Sequence, residues 1–154
     1  MKEGILDINR MRPCIPERPE EELSNQAEIS IIAARAAMIA ANKEAPDIDA
    51  VIVSCAYTQR SYPAIAIEVQ RELGIKGFAF DMLVACSAAT FALHHVYEMV
   101  IAGTARCKLL NNPELTSPQV NYRDRDSHFI FGMWLLPLSL NVQTPATPPT
   151  VMKS

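Results

Sequence analysis

The sequence predicts an α/β domain with a mainly parallel sheet. Short, continuous apolar runs rich in β-branched residues, such as residues 50–55, are typical of strands buried on both faces. Longer segments rich in alanine and isoleucine lie between these runs and end at proline or glycine, as helices do. Because strand and helix signals alternate along the chain, parallel strands joined by crossover helices are expected.

The predicted elements follow in order. Residues 9–23, rich in arginine, proline and glutamate, predict an exposed loop. Ser24 can cap a first helix, which Pro46 ends. Pro63 suits the first position of a second helix and Gly74 its end. The third helix is predicted at residues 87–102. Strands are predicted at residues 50–55, 77–81, 107–111 and 128–131.

Composition excludes several classes of function. The net charge of −3 provides no basic face for nucleic acid. No stretch approaches the roughly 18 apolar residues that a membrane span needs, and the first residues lack the apolar run of a signal peptide. The cysteines at positions 14, 55, 86 and 107 have no metal-ligand spacing, so reduced thiols in the cytoplasm are expected and no metal site.

Composition changes abruptly after Gly132. The last 22 residues contain four prolines and three threonines, and Lys153 is their only charged side chain. We therefore divide the chain into a domain at 1–132 and an aberrant tail at 133–154, which is either disordered or the product of a frameshift near Gly132. Sequencing codons 128–140 in an independent clone tests the second hypothesis, and an intact frame with the same tail would count against it.

Cys86 is the candidate nucleophile. In residues 78–90 a strand ends, a turn presents the cysteine, and small residues begin a helix. A thiol at a helix N-terminus faces unpaired N–H groups and the positive end of the helix dipole, which favour the thiolate that an acyl acceptor needs. The alternative is that Cys86 is only a small buried side chain.

The two histidines nearest to Cys86 in the sequence are not positioned to act with it. His94 and His95 lie eight and nine residues further along the predicted helix. That spacing places them roughly 12 Å away along the axis, too far for proton transfer.

The segments 79–81 and 85–88 resemble the nucleophile region of the 3-oxoacyl-acyl-carrier-protein synthase III branch of the thiolase superfamily. Two further segments agree with that family in order and spacing. They are residues 61–64 followed by 73–77, and residues 124–125 followed by 129–132. The resemblance covers roughly residues 3–132, and its most specific part is the cysteine segment.

The resemblance implies the incomplete N-terminal half of a thiolase-like fold, with αβαβα layers. It implies an acyltransferase of fatty acid biosynthesis in which acyl-coenzyme A acylates Cys86 and malonyl-acyl-carrier protein then condenses with loss of carbon dioxide. Arg125 would bind coenzyme A, and Tyr62 would reach the acyl pocket of the partner in a homodimer. Acyl-coenzyme A is the substrate, and no cofactor is implied.

The same resemblance limits the expected activity. The histidine and asparagine that assist decarboxylation in the family belong to the second half of its fold, so this chain is expected to lack the second step. Two alternatives stay open. One is a non-catalytic fragment or dimerisation module, and the other is a cysteine hydrolase that uses Cys86 with an unidentified base.

Overall fold

The computed structural model describes residues 5–7, 12–14, 18–116, 119–121, 123–126 and 133–136. The helices are α1 (Asn25–Ala40), α2 (Ile65–Leu73) and α3 (Ala88–Ile101), with 3₁₀ turns at Ala45–Asp47 and Ala85–Ser87. The strands are β1 (Ile5–Asp7), β2 (Arg12–Cys14), β3 (Ala50–Cys55), β4 (Phe78–Leu83), β5 (Lys108–Leu115) and β6 (Met133–Leu136).

The main sheet has the strand order β4-β3-β5-β6. Strand β3 pairs in parallel with both β4 and β5, whereas β6 pairs antiparallel with β5. Strands β1 and β2 form a separate antiparallel pair. The predicted α/β class with a mainly parallel sheet is confirmed.

Strand β3 is buried on both faces, as its continuous apolar sequence predicts. Val51 and Val53 pack with residues of α1 and α2, while Ile52 packs with Ala92 and Val96 of α3. Because successive side chains of a strand point to opposite faces, this division places α1 and α2 on one face of the sheet and α3 on the other.

The predicted cap of α1 is confirmed and has an additional partner. The Ser24 hydroxyl accepts a hydrogen bond from the Ala27 N–H at 3.1 Å. The carboxylate of Glu68, buried on α2, accepts from the Ser24 N–H at 2.8 Å and from its hydroxyl at 2.7 Å. A single buried carboxylate therefore joins α2 to the start of α1.

Helix α2 begins at Ile65, two residues after the predicted start at Pro63. The physical reason lies on β4, where the Asp81 carboxylate accepts hydrogen bonds from the N–H groups of Ile65 and Ala66, both at 2.8 Å. The predicted end at Gly74 is confirmed, since Gly74 has a φ of 71° that a residue with a Cβ rarely adopts.

Two expectations about irregular segments need correction. The loop predicted over residues 9–23 contains strand β2, which pairs with β1. Strand β5 extends past its predicted end at residue 111 to Leu115, because its later residues pair with β6. Strand β6 itself lies at the start of the segment that composition marked as a tail.

Two other predictions lie outside the described residues. They are the strand predicted at 128–131 and the tail from residue 137 onwards. The division at residue 132 stays a prediction.

We predict that Gly77 tolerates no side chain. An added Cβ would lie 1.8 Å from the backbone carbonyl oxygen of Asp49, so the start of β4 would have to move. Gly77→Ala should lower the free energy of unfolding by about 3 kcal/mol in urea titrations. The control is Gly103→Ala, where φ is 71° but nothing lies within 4 Å, and it should cost about 1 kcal/mol. Equal costs would contradict the close approach.

Candidate active site

Cys86 lies in a tight turn between the end of β4 and the start of α3. Strand β4 ends at Leu83, and the 3₁₀ turn Ala85–Ser87 leads directly into the helix. The Cys86 side chain is exposed, and the Ser87 N–H donates to the Val84 carbonyl at 3.1 Å. The strand–turn–helix setting expected from the sequence is present. The alternative, that Cys86 is only a small buried side chain, does not agree with its exposure.

The residue before the cysteine has an uncommon backbone conformation. Ala85 has a φ of 44°, in the left-handed region that costs a residue with a Cβ about 1–2 kcal/mol. Non-glycine residues held in this region cluster at functional sites, where the surrounding structure supports the strain. No feature of the sequence predicts this conformation, because alanine is not typical of it.

The cysteine precedes α3 instead of beginning it. The helix starts at Ala88, and the Ser87 side chain makes no capping hydrogen bond. The thiol predicted at a helix N-terminus therefore lies two residues before the first residue of α3.

Asp81 fixes β4 against the start of α2, five residues before Cys86. Burial raises the pKa of the Asp81 carboxyl, while its hydrogen bonds from Ala66 and Ile65 lower it and the charge of Glu68 raises it further. The ion remains bonded to two N–H groups at the positive end of α2. The only signal for this role in the sequence is a carboxylate within an otherwise apolar strand.

Tyr62 lies in the segment Ala56–Ala64 between β3 and α2, and its side chain is 84% exposed. Arg125 follows β5 and is also exposed. Because β3, β4 and β5 are parallel, their carboxyl ends lie at one edge of the sheet, where ligands bind in open α/β sheets. The segments that carry Tyr62, Cys86 and Arg125 all follow this edge, but the roles of these residues stay predictions.

Two other cysteines have the opposite environment. Cys55, at the end of β3, is fully buried, and burial together with the charges of Glu114 and Asp81 raises its thiol pKa to about 12. Burial also raises the pKa of Cys107. The side chain of Cys14 lies outside the described set.

Two histidines, His94 and His95, lie on α3, eight and nine residues after Cys86 in the chain. His95 packs edge-on against Phe80 of β4, with 5.9 Å between ring centroids. His94 is exposed, and His128 lies outside the described residues. Within the described ranges, no cluster of three or more His, Cys, Asp or Glu side chains could hold a metal ion, and no helix is long and apolar enough to cross a membrane.

The chain is similar to known proteins of one family. The family model of 3-oxoacyl-[acyl-carrier-protein] synthase III matches residues 80–132, which include Cys86 and Arg125. A beta-ketodecanoyl-[acyl-carrier-protein] synthase of Pseudomonas aeruginosa is 53% identical over 131 residues, covering 85% of this chain and 37% of the relative. A beta-ketoacyl-[acyl-carrier-protein] synthase III of Roseobacter denitrificans is 36% identical and covers 84% and 42%.

Solved structures agree as well. The crystal structure of 3-oxoacyl-[acyl-carrier-protein] synthase III from Aquifex aeolicus matches with a TM-score of 0.68 at 28% identity, over 79% of this chain and 38% of that one. The fold is therefore part of a thiolase-like α/β architecture. The chain belongs to the 3-oxoacyl-acyl-carrier-protein synthase III family, and it spans about 37–42% of the length of the two curated relatives compared here.

We predict that Cys86 is modified much faster than the two buried thiols. Iodoacetamide reacts with thiolate, and Cys55 with a pKa near 12 has almost none at neutral pH. Peptide mapping after labelling of the folded chain at pH 7 should give a rate at Cys86 at least about tenfold above those at Cys55 and Cys107. Denaturant should abolish the difference, and equal rates in the folded chain would contradict the prediction.

Proposed function

We propose that this chain carries the acyl-accepting step of a 3-oxoacyl-acyl-carrier-protein synthase III. The observation that supports it is the exposed Cys86 in a strained turn at the carboxyl edge of a parallel sheet. In this proposal the enzyme works in fatty acid biosynthesis in the cytoplasm. It takes acyl-coenzyme A as its substrate and needs no resident cofactor, metal, nucleic acid or membrane.

The proposed step is a thioester exchange. The Cys86 thiolate attacks the carbonyl carbon of acyl-coenzyme A, the bond from that carbon to the coenzyme A sulfur breaks, and the departing thiolate takes a proton. The acyl group is then held on Cys86 as a thioester. In the complete family reaction, malonyl-acyl-carrier protein loses carbon dioxide and its carbanion attacks this thioester.

Tyr62 and Arg125 have binding roles in this proposal. The guanidinium of Arg125 suits the phosphates and adenine of coenzyme A, because it is planar and permanently charged. Tyr62 offers a large aromatic surface for an acyl chain, in the pocket of a partner subunit within a homodimer. Its 84% exposure in the described chain leaves that surface accessible.

We predict that Cys86 forms an acyl adduct. Incubation of the chain with acetyl- to decanoyl-coenzyme A, followed by intact-mass and peptide analysis, should show one acyl group on Cys86 and none on Cys86→Ala. Cys86→Ser is the matched control, because it keeps the shape of the turn but is a much weaker nucleophile. Absence of any adduct would favour the alternative of a non-catalytic fragment that retains only the family's interaction surface.

Arg125→Ala should weaken acyl-coenzyme A binding about tenfold, since one charge-assisted contact to a phosphate is lost. Calorimetric titration measures the affinity, and circular dichroism checks that the fold is unchanged. Arg123→Ala is the control, because Arg123 is an exposed arginine of the same segment. Equal effects of both substitutions would indicate general charge attraction and contradict a specific role of Arg125.

The chain by itself should not complete the condensation. A nucleophile, decarboxylation catalysts and oxyanion donors act as a set, and loss of some members leaves only a residual rate. With radiolabelled malonyl-acyl-carrier protein and acyl-coenzyme A, 3-oxoacyl product should stay at the level of a Cys86→Ala control. Turnover well above that control would refute the prediction, and His128 would then be the first residue to substitute.

A further inference from the structure

A fully buried glutamine holds the segment that carries Tyr62. Gln26, in the first turn of α1, has no exposed surface. Its side-chain Nε2 donates to the Tyr57 carbonyl at 2.9 Å and to the Pro113 carbonyl at 3.3 Å, and its Oε1 accepts from the Gln59 N–H at 2.8 Å. The backbone N–H of Gln26 donates in return to Oε1 of Gln59 at 2.9 Å.

These hydrogen bonds join three parts of the fold. The side-chain amide of Gln26, which belongs to α1, bonds to the segment Ala56–Ala64 and to strand β5. A buried amide without partners would cost about 1–3 kcal/mol, so the segment has a strong preference for the one position that satisfies Gln26. The hydrogen bond to Oε1 of Gln59 also satisfies the Gln26 N–H, because the Ser24 hydroxyl caps the N–H of Ala27 instead.

The other side-chain hydrogen bonds of the segment, among the described residues, lie at its beginning or on its surface. The Tyr57 hydroxyl donates to the Leu115 carbonyl of β5. Glu114 accepts from the Ala56 N–H at 2.9 Å, next to the end of β3. The exposed guanidinium contacts of Arg60 reach the backbone carbonyls of Glu20 and Glu22 at 3.2 and 3.0 Å. Gln26 is thus a fully buried attachment of residues 57–59, and Gln59 lies three residues before Tyr62.

We propose that Gln26 is a positioning residue for Tyr62 and so for recognition of the acyl chain. This proposal rests on the proposed function, in which Tyr62 contacts the acyl group. Gln26 itself touches no reacting atom and acts through residues 57–59. Its loss changes how well acyl-coenzyme A binds and leaves the thiol of Cys86, in the turn after β4, as reactive as before.

The first test measures the segment without any substrate. Trypsin cleaves after Arg60, and cleavage in the folded state reports local opening. Gln26→Leu keeps the volume and removes three hydrogen bonds, so cleavage after Arg60 should accelerate about tenfold while cleavage after Lys76 does not. Gln70→Leu is the matched control, because Gln70 donates to the Gly77 carbonyl at the opposite end of α2.

A second variant tests the same contact in case Gln26→Leu does not fold. Gln59→Ala removes only the acceptor of the Gln26 N–H from an exposed side chain. It should accelerate the same cleavage about threefold, and it decides the question if Gln26→Leu does not fold.

The second test measures recognition. In Gln26→Leu, the acyl-coenzyme A concentration for half-maximal acylation of Cys86 should rise about fivefold, and iodoacetamide labelling of Cys86 should not change. A double-mutant cycle with Tyr62→Ala should be non-additive, because both changes remove the same contact.

Two results would overturn the proposal. The first is that trypsin cleaves after Arg60 no faster in Gln26→Leu than in Gln70→Leu. The second is that cleavage is faster in Gln26→Leu, but the acyl-coenzyme A concentration for half-maximal acylation is unchanged or the double-mutant cycle with Tyr62→Ala is additive. If the unsubstituted chain forms no acyl adduct, the proposed function fails, and the proteolysis alone decides whether Gln26 holds the segment.

Discussion

The carboxylate of Asp81 is the interaction on which the candidate site depends. It lies on the strand that leads to Cys86, yet it receives the first two N–H groups of α2, whose own N-cap position is an alanine without a capping side chain. Burial makes the ion costly, as its raised pKa indicates, and the two hydrogen bonds with the positive end of the helix offset that cost. A shift of β4 by one residue would break both bonds, so the position of the turn beyond it is set.

The same kind of contact continues away from the site. Helix α2 carries Glu68, which holds Ser24 at the start of α1, and α1 carries Gln26, which holds the segment before Tyr62. Hydrogen bonds from side chains of one element to the backbone of another therefore connect the strand of Cys86 with the segment of Tyr62. At the starts of α1 and α2, side chains from other elements satisfy N–H groups: Gln59 accepts from Gln26, and Asp81 accepts from Ile65 and Ala66.

Cys55 and Cys86 show how position determines the chemistry of one residue type. Both lie at the carboxyl ends of strands of the same sheet. Cys55 is the last residue of β3 and is fully buried. Cys86 lies three residues past the end of β4, where the turn at Ala85 carries it out of the sheet to the surface. Burial raises the pKa of the Cys55 thiol to about 12, whereas the Cys86 side chain is exposed to solvent.

The sequence by itself determined the α/β class, the central strand, the capped start of α1, the end of α2 at Gly74 and the cysteine between strand and helix. These follow from local signals: apolar runs, capping residues and glycines. Only the tertiary structure decided the start of α2, the left-handed Ala85, the pairing of β1 with β2 and of β5 with β6, and the role of Gln26. Those features depend on partners distant in the chain. Asp81 lies 15 or more residues from the two N–H groups that donate hydrogen bonds to it, and Pro113 lies 87 residues from Gln26. No local pattern encodes such contacts.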